Sequence, residues 1–333
     1  MKEHARYIFS SGELSRKDSS IVFRNTNGPI YLPIKDTKEI YCFSEVSLNT
    51  KFLDLISKAG VTLHFFNYYG HYSGSYYPKD YLISGLLTIK QANAFQEKRI
   101  EIVKAIVQGI ADNIHNVLYH YYRHDKTQLK EYLGWIKESV PMYLESAKTI
   151  NQILMIEGQI WGRFYGSFVY FLPEEFIINK RVKRPPDNPM NALISFGNSL
   201  LYSKTVSQIY HTHLNQSISF LHEPGEGRFS LSLDLCEVFK PLIVFKTIFE
   251  NVNNRRLKVE KHFEKKLNYC ILNEDGKKIF IESFETRINE VFVHSKLKRK
   301  VSLKTAIKLD GYKLIKFILE NKYFKPFKIS DGV

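Results

Sequence analysis

The stretch LLTIKQANAFQEKRIEIVKAIVQGIADNIHNVLYHYY, residues 86–122, decides the fold of this 333-residue chain. Its apolar residues recur every three or four positions, and the run opens with Ile89, Ala92, Phe95, Ile100, Ile102 and Val103. This spacing is typical of a helix that buries one face. Because the preceding segments follow a different pattern, the sequence predicts a change of architecture near residue 82.

The segments before this point are typical of β-strands. GPIYLPI and KEIYCFSEVSL are short, rich in Ile, Val, Phe and Tyr, and separated by turn-forming residues. One segment, NTKFLDLISKAG, instead predicts a short helix that ends at Gly60, and VTLHFFN predicts the next strand. We therefore expect an α+β protein with a small β-rich domain over residues 1–80 and a larger, all-α domain over residues 81–333.

Further helical segments follow residue 122. QLKEYLGWIKESV predicts one helix, and MYLESAKTINQILMIEGQIWGRFYGSFVYFL predicts another. The basic, proline-rich segment INKRVKRPPDNPMN predicts an exposed loop, after which helical patterns resume. Lys180, Arg181, Lys183 and Arg184 in this loop, together with the basic C-terminal tail, are candidate phosphate contacts. A solvated run of charge is the alternative interpretation.

Composition narrows the class of partner. The formal net charge is +14 and the isoelectric point is near 9.4, which favours a polyanion, either nucleic acid or an acidic membrane surface. No apolar run approaches the roughly 18–20 residues that span a bilayer. The three cysteines form no CxxC pair and no disulfide framework. We expect a soluble, cytoplasmic protein without a membrane partner.

Glu157 is the first candidate functional residue, because it falls within the apolar stripe of its helix. A buried, ionised carboxylate is costly unless it is paired or binds a metal. One alternative is a buried ion pair with Arg163. Another is a slightly rotated helix that leaves the carboxylate in water.

The segment HEPGEGRFSLSLDLCEVFKP, residues 222–241, holds the second group of candidates. His222 precedes a glycine loop, and Asp234 and Glu237 lie three residues apart on the helix that follows, so they share one flank. The alternative is a pair of solvated acids with a loop histidine. Two carboxylates from two helices, one of them Glu157, together with the imidazole from the loop, would suit Mg²⁺ or Mn²⁺. Arg228 would then be placed to bind a phosphate.

Other histidines offer weaker sites. His120 and His124 are four residues apart, so they could share a helical face and bind zinc, but no third ligand is evident. The HTH triplet at residues 211–213 is equally weak. The sequence contains neither a GxSxG motif nor a P-loop.

Three segments together resemble one known family. IEGQIWGRFYGSF, DNPMNALISFGNSLLY and FLHEPGEGRFSLSLDLCEVFKP are similar to motifs of the Cas1 family, the CRISPR-associated integrases of spacer acquisition. VTLHFFNYYGHYSGSYYPKD resembles the end of that family's N-terminal β domain. The resemblance implies an N-terminal domain for dimerisation and partner docking, followed by an α-helical domain that is catalytic and binds metal and DNA.

The resemblance also assigns site residues. The family's metal ligands fall on Glu157, His222 and Glu237. Asp234 matches a neighbouring aspartate that supports the site or shares the metal, so the choice of main acidic ligand between Asp234 and Glu237 stays open. Tyr202 matches a tyrosine near the family's site.

The sequence departs from many relatives at Ser219, where glycine is common, and at Lys240-Pro241, where Arg-Pro is common. Neither position is a proposed ligand. The differences therefore bear on local geometry.

The implied activity is that of a metal-dependent DNA endonuclease and integrase in antiviral defence. It inserts DNA fragments into a CRISPR array by 3′-hydroxyl transesterification. The implied partners are double-stranded and branched DNA, as prespacer and CRISPR repeat, a second copy of the chain in a homodimer, and the small Cas2 protein. One alternative is a non-catalytic basic scaffold that binds nucleic acid. A second is a general metal nuclease that does not favour repeat-bearing targets.

Overall fold

The computed structural model describes residues 4–78, 82, 84–183, 185–226, 229–266, 269–294 and 297–329. The chain divides into two compact units, Met1–Tyr81 and Leu82–Val333. The first unit is rich in β-strands and the second is mainly helical, which confirms the predicted α+β class.

The first unit is built from two four-stranded sheets. One sheet has the order β1-β5-β7-β8, in which only the β7–β8 pair is antiparallel. The other has the order β4-β3-β2-β6, an antiparallel meander with β6 added parallel to β2. The strands are β1 His4–Ile8, β2 Gly12–Lys17, β3 Ser20–Asn25, β4 Gly28–Pro33, β5 Thr37–Cys42, β6 Val46–Leu48, β7 Thr62–Phe66 and β8 Tyr72–Tyr76.

The α-helix described in this unit, α1 Thr50–Ala59, has the start and the end that the sequence predicts. The side chain of Asn49 accepts a hydrogen bond from the Phe52 N–H at 3.0 Å. Gly60 ends the helix in the left-handed conformation, with φ of 68°. The buried face, through Phe52 and Ile56, joins the core formed by the two sheets.

The second unit is built mainly from helices. They are α2 Gly85–Glu97, α3 Arg99–Tyr122, α4 Lys130–Gly134, α5 Val140–Ser146, α6 Ile150–Gly166, α7 Pro189–Tyr210, α8 Ser230–Lys240, α9 Lys246–Asn253, α10 Val259–His262, α11 Glu274–Ile288 and α12 Leu303–Glu320. It also contains two short hairpins, which the prediction of an all-α domain missed: β9 Phe263–Lys266 with β10 Tyr269–Leu272, and β11 Val291–His294 with β12 Arg299–Ser302.

Helices α8 and α9 form one continuous element. A π-helical turn, Pro241–Phe245, joins them. Aromatic side chains of this continuous element pack on α6 and on the short turn that follows it: the rings of Phe164 and Phe245 are 4.9 Å apart, and those of Phe168 and Phe249 are 5.1 Å apart. Edge-to-face packing of this kind fixes the position of α6 against the α8–α9 element.

Two details of the helix prediction were wrong. The segment from residue 142 to residue 172 is not one helix, because α5 ends at Ser146 and a capping box of Thr149 and Gln152 begins α6. Ile89 and Ile100, which were predicted to lie on the buried stripe at the start of the second unit, are instead 62% and 38% exposed.

The C-terminal segment after α12 is hydrogen-bonded to buried side chains of the helical unit. The fully buried Asp310 carboxylate accepts the Phe327 N–H at 2.8 Å. The Asn113 side-chain amide donates to the carbonyls of Val238 at 2.9 Å and Phe327 at 3.0 Å. These bonds link the segment to α3 and α8.

All three cysteines are buried and free. Burial raises the pKa of the Cys42 and Cys236 thiols to about 12 and that of Cys270 to about 11. No helix in the described part of the chain is long and apolar enough to cross a membrane.

Candidate metal centre

His222 and Asp234 form the best-defined contact of the site. Nδ1 of His222 lies 2.8 Å from Oδ1 of Asp234. Because an ionised carboxylate can only accept, Nδ1 carries the proton, and Nε2 is the nitrogen available to a ligand. Burial alone would lower the pKa of His222, but the hydrogen bond and charge of Asp234 outweigh burial and raise that pKa.

Asp234 also organises the loop that carries His222. It is fully buried and accepts backbone N–H groups from Phe220 at 2.6 Å, Leu221 at 2.9 Å and His222 at 2.9 Å. With four hydrogen bonds inside the protein, this carboxylate is not the solvated acid of the alternative interpretation. Its contacts are those of a residue that orients a ligand.

Glu237 lies one turn further along α8 and is only 7% exposed. Its Oε1 forms an ion pair with the Lys240 ammonium. Burial works against the charge of Lys240, but Glu237, followed by Cys236, raises the pKa of this lysine. In the sequence, Lys240 stands out only as a departure from the family pattern. Its i, i+3 spacing to Glu237 was the signal that the two could meet.

Glu157 lies near the same group of charges. Burial and then the charge of Glu237 raise the pKa of Glu157, whereas Lys240, a hydrogen bond from Trp161 and the charge of His222 oppose that rise. The side chain is partly buried, so it is neither deep in the core nor fully in water. α6 therefore brings Glu157 into the electrostatic environment of Glu237 and His222.

The expected ion-pair partner of Glu157, Arg163, has a different contact. Its guanidinium lies over the Trp135 ring, 4.3 Å from the ring centre. The partners that the structure gives to Glu157 are those of the α8 site and Trp161.

The donor set fits a hard divalent ion in its chemistry. Two carboxylates, Glu157 and Glu237, and an imidazole held by Asp234 match the ligand preferences of Mg²⁺ and Mn²⁺. Among the described residues, however, no three His, Cys, Asp or Glu side chains lie close enough together to hold an ion. Glu237 is instead paired with the Lys240 ammonium.

Tyr202 lies beside the site and forms part of its support. Its hydroxyl accepts the Phe229 N–H at 3.1 Å, and the side chain is 9% exposed. Tyr202 therefore connects α7 to the residue that precedes α8. The predicted phosphate-binding Arg228 lies outside the described residues.

The two other histidine sites, His120 with His124 and the triplet at residues 211–213, have no third ligand among the described residues. The rings of His120 and His124 are 4.6 Å apart, but Nδ1 of His124 bonds to the carbonyl of His120 at 2.7 Å. His213 similarly bonds through Nδ1 to the Leu82 carbonyl at 2.8 Å. These contacts favour packing and capping over zinc binding.

Arg181, one of the candidate phosphate contacts, is turned toward α7. It donates to Asn191 Oδ1 at 3.0 Å and to Ser195 Oγ at 2.9 Å. Burial lowers the pKa of this arginine, and the neighbouring Tyr165 opposes that shift. These bonds engage its guanidinium within the protein, and Arg184 lies outside the described residues.

The basic C-terminal tail lines a groove beside α12. Five lysines and two exposed tyrosines line it: Tyr312, Lys313, Lys316, Lys322, Tyr323, Lys325 and Lys328. Three of the lysines pair with the acids Asp310, Glu320 and Asp112. Lys316 and Lys325 are exposed, and neither forms an ion pair among the residues that the structure describes, although Lys316 lies within electrostatic range of Glu320.

Comparisons with known proteins agree with the fold and the motifs. The family model described as CRISPR associated protein Cas1 matches residues 6–286. A relative from Thermodesulfovibrio yellowstonii, named CRISPR-associated endonuclease Cas1 3, is 42% identical over 325 residues, covering 97% of this chain and 98% of the relative.

Solved structures support the same conclusion. A Cas1 protein from Thermotoga maritima superimposes with a TM-score of 0.84 at 35% identity, covering 98% of this chain and all of that one (100%). A casposase bound to its integration product shares the fold, with a TM-score of 0.83 at 19% identity over 98% of this chain and 93% of that chain. By the extent of the family match and of these identities, the chain belongs to the Cas1 family of CRISPR-associated proteins.

Proposed function

We propose that this chain is a metal-dependent DNA endonuclease and integrase that inserts DNA fragments into a CRISPR array. One observation carries the proposal. A fully buried aspartate fixes Nδ1 of His222, so that Nε2 is available beside two carboxylates. This arrangement is typical of histidines that bind metals. The names of the relatives, which are endonucleases, support the same class of reaction.

Glu157, His222 and Glu237 are the proposed ligands. Asp234 takes the supporting role, because all its contacts are with His222 and the loop backbone. Trp161 orients Glu157, and Tyr202 holds the residue that precedes α8. A divalent ion bound there would stabilise negative charge on a phosphodiester as a Lewis acid.

The proposed reaction is a transesterification. The 3′-hydroxyl of a DNA fragment attacks the phosphodiester at the edge of a CRISPR repeat, a new P–O bond forms, and the old 3′-oxygen leaves with a proton. The protein's part is to position the phosphate and keep the ligands in place, which is where most catalysis of phosphoryl transfer lies.

Charge supplies the proposed DNA contacts. The net charge of +14 and the exposed Lys316 and Lys325 favour binding to the phosphates of double-stranded and branched DNA. The sequence resemblance supports a homodimer that binds Cas2, with the unit Met1–Tyr81 as the proposed dimerisation and docking unit. In the same way it supports a cytoplasmic location and a phosphate-binding role for Arg228.

Strand transfer tests the proposal. A short duplex with free 3′-hydroxyls would be incubated with a repeat-bearing plasmid, Cas2 and Mn²⁺ or Mg²⁺. We expect metal-dependent joining that His222→Ala abolishes and that His124→Ala, a change at an exposed histidine, leaves intact. DNA binding without joining by the wild type would favour a non-catalytic scaffold. Cleavage of branched DNA without preference for the repeat would favour a general nuclease.

A further inference from the structure

We propose that the Lys240 ammonium is a built-in counter-ion that occupies the cation position beside Glu237, and that a divalent ion must displace it in order to bind. This inference rests on the proposed function. It concerns which group balances the charge of Glu237 and how tightly the site would bind a divalent ion.

The ion pair is well shielded from water. The side chains of Lys240 and Glu237 are only 15% and 9% exposed, and Oε1 of Glu237 meets Nζ of Lys240. A pair at this depth is screened much less than a surface pair, so breaking it would leave a shielded charge without its partner.

The carboxylates of Glu157 and Glu237 need a cation nearby to offset their negative charge. Glu237 lies close enough to Glu157 to raise the pKa of that carboxyl, and Lys240, which is paired with Glu237, acts on Glu157 and His222 as well. Without a cation, the two carboxylates would repel each other in a medium of low polarity. Lys240 meets this requirement in the protein without metal.

The same contact engages a carboxylate that the ion would need. The Lys240 ammonium lies on Oε1 of Glu237, one of the proposed ligand oxygens. A lysine side chain is a compact charge on a flexible four-carbon stem, so it can leave the carboxylate without movement of the helix. A divalent ion of higher charge would then take its place.

The consequence is a measurable competition. Binding of Mn²⁺ must break the Lys240–Glu237 pair, so the affinity of the wild type for metal is lower than the ligands alone would give. Removing the lysine charge removes the competitor. It also leaves the metal-free protein with unpaired, shielded carboxylates, which lowers its stability.

The test measures Mn²⁺ binding by calorimetry in the absence of DNA. We expect Lys240→Gln to bind Mn²⁺ more tightly than the wild type by roughly an order of magnitude, because no buried pair has to be broken. Lys240→Met repeats the test with a side chain that cannot hydrogen-bond, and Lys240→Arg, which keeps the charge, should retain an affinity close to that of the wild type.

Thermal unfolding gives a second measurement. Metal-free Lys240→Gln should melt at a lower temperature than the wild type, and saturating Mn²⁺ should raise its melting temperature by more. The matched control is Lys204→Gln, which removes another buried lysine, paired with Glu285 at 2.7 Å. Its melting temperature should fall, but its Mn²⁺ affinity should equal that of the wild type.

The outcomes separate the two proposals. Binding of Mn²⁺ by the wild type, with no tighter binding by Lys240→Gln or Lys240→Met, would overturn the counter-ion role and leave the proposed function standing. Absence of Mn²⁺ binding by the wild type and by all Lys240 variants would overturn both.

Discussion

The carboxylate of Asp234 accepts a hydrogen bond from Nδ1 of His222 across 2.8 Å. Asp234 lies on α8, whereas His222 lies in the loop that precedes this helix. Three backbone N–H groups converge on the same carboxylate. One buried side chain therefore fixes both the course of the loop and the tautomer of its histidine.

Replacement of Asp234 by asparagine should damage the site without removing any proposed ligand. The amide NH₂ would face backbone donors, and the imidazole would lose its charged partner. Loss of such a supporting contact typically costs about 10- to 100-fold in metal affinity or activity, and we expect a fall of that order in Mn²⁺ affinity and strand transfer. Asp54→Asn, at a half-exposed surface ion pair, serves as the control and should leave both unchanged.

The same glycine-to-alanine change should have opposite effects on stability in two helices. A Cβ at Gly197 in α7 would lie 2.6 Å from Val244 Cγ1 and 3.0 Å from the Phe280 ring. Overpacking of this kind should lower the free energy of unfolding by about 1–3 kcal/mol.

A Cβ at Gly162 in α6 would meet nothing within 4 Å among the described residues. Gly162→Ala should therefore raise the free energy of unfolding by about 0.5–1 kcal/mol, since alanine favours helix. Urea denaturation of the two variants measures both values. A gain in stability for Gly197→Ala would contradict the close packing at that position in α7, and a loss for Gly162→Ala would contradict the open space found at that position in α6.

Acid should weaken the protein through His262. This residue is 4% exposed, and its Nδ1 accepts the Lys258 N–H at 2.9 Å, a bond that only the neutral ring can make. Burial, followed by the charge of Lys261, lowers the pKa of His262. The unfolded chain therefore binds the proton more readily, and stability is lost as the pH falls below about 6.5 and through the lower pKa of the folded state.

Urea denaturation at pH 7.5 and pH 5 checks this expectation. His262→Asn keeps an acceptor near the position of Nδ1 but cannot take up the proton, so the difference in unfolding free energy between the two pH values should shrink. The matched variant His124→Asn, at an exposed histidine, should leave that difference unchanged. An equal pH dependence in the wild type and His262→Asn would contradict the assignment.

The groove beside α12 should contribute to DNA affinity through Lys316 and Lys325. Each phosphate contact that is lost lowers the slope of log affinity against log salt by about 0.9. If both lysines contact phosphates, the double change to alanine should weaken duplex binding and reduce the slope by roughly 2. Alanine at the exposed Lys130 and Lys137 removes the same charge elsewhere. Equal losses from the two double variants would show that net charge alone is responsible.

The sequence predicted where strands and helices occur better than it predicted which face of a helix is buried. The change from strands to helices near residue 82 and the end of α1 at Gly60 are local signals, and both are confirmed. Ile89 and Ile100 were placed on one buried stripe but are exposed, because the run is divided at Lys98 into α2 and α3, which need not bury the same face. The Thr149–Gln152 capping box was visible in the sequence and would have divided the long predicted helix correctly.

The candidate residues came partly from pattern and partly from the family resemblance, but their contacts needed the fold. Nothing local in the sequence shows that Glu157 on α6 approaches Glu237 on α8. Packing of Phe164 and Phe168 against Phe245 and Phe249 brings those helices together. The pairing of Lys240 with Glu237 likewise depends on burial, since the same i, i+3 spacing on an exposed face would leave both side chains in water.

The three buried thiols have a practical consequence for labelling. A maleimide reacts with the thiolate, and Cys42, Cys236 and Cys270 are shielded from reagent and hold their protons at neutral pH. A cysteine introduced at Met142, which is 66% exposed, would therefore be the reactive one. The wild-type background can carry a single fluorophore, and energy transfer to labelled DNA would then report distances in the assembled complex.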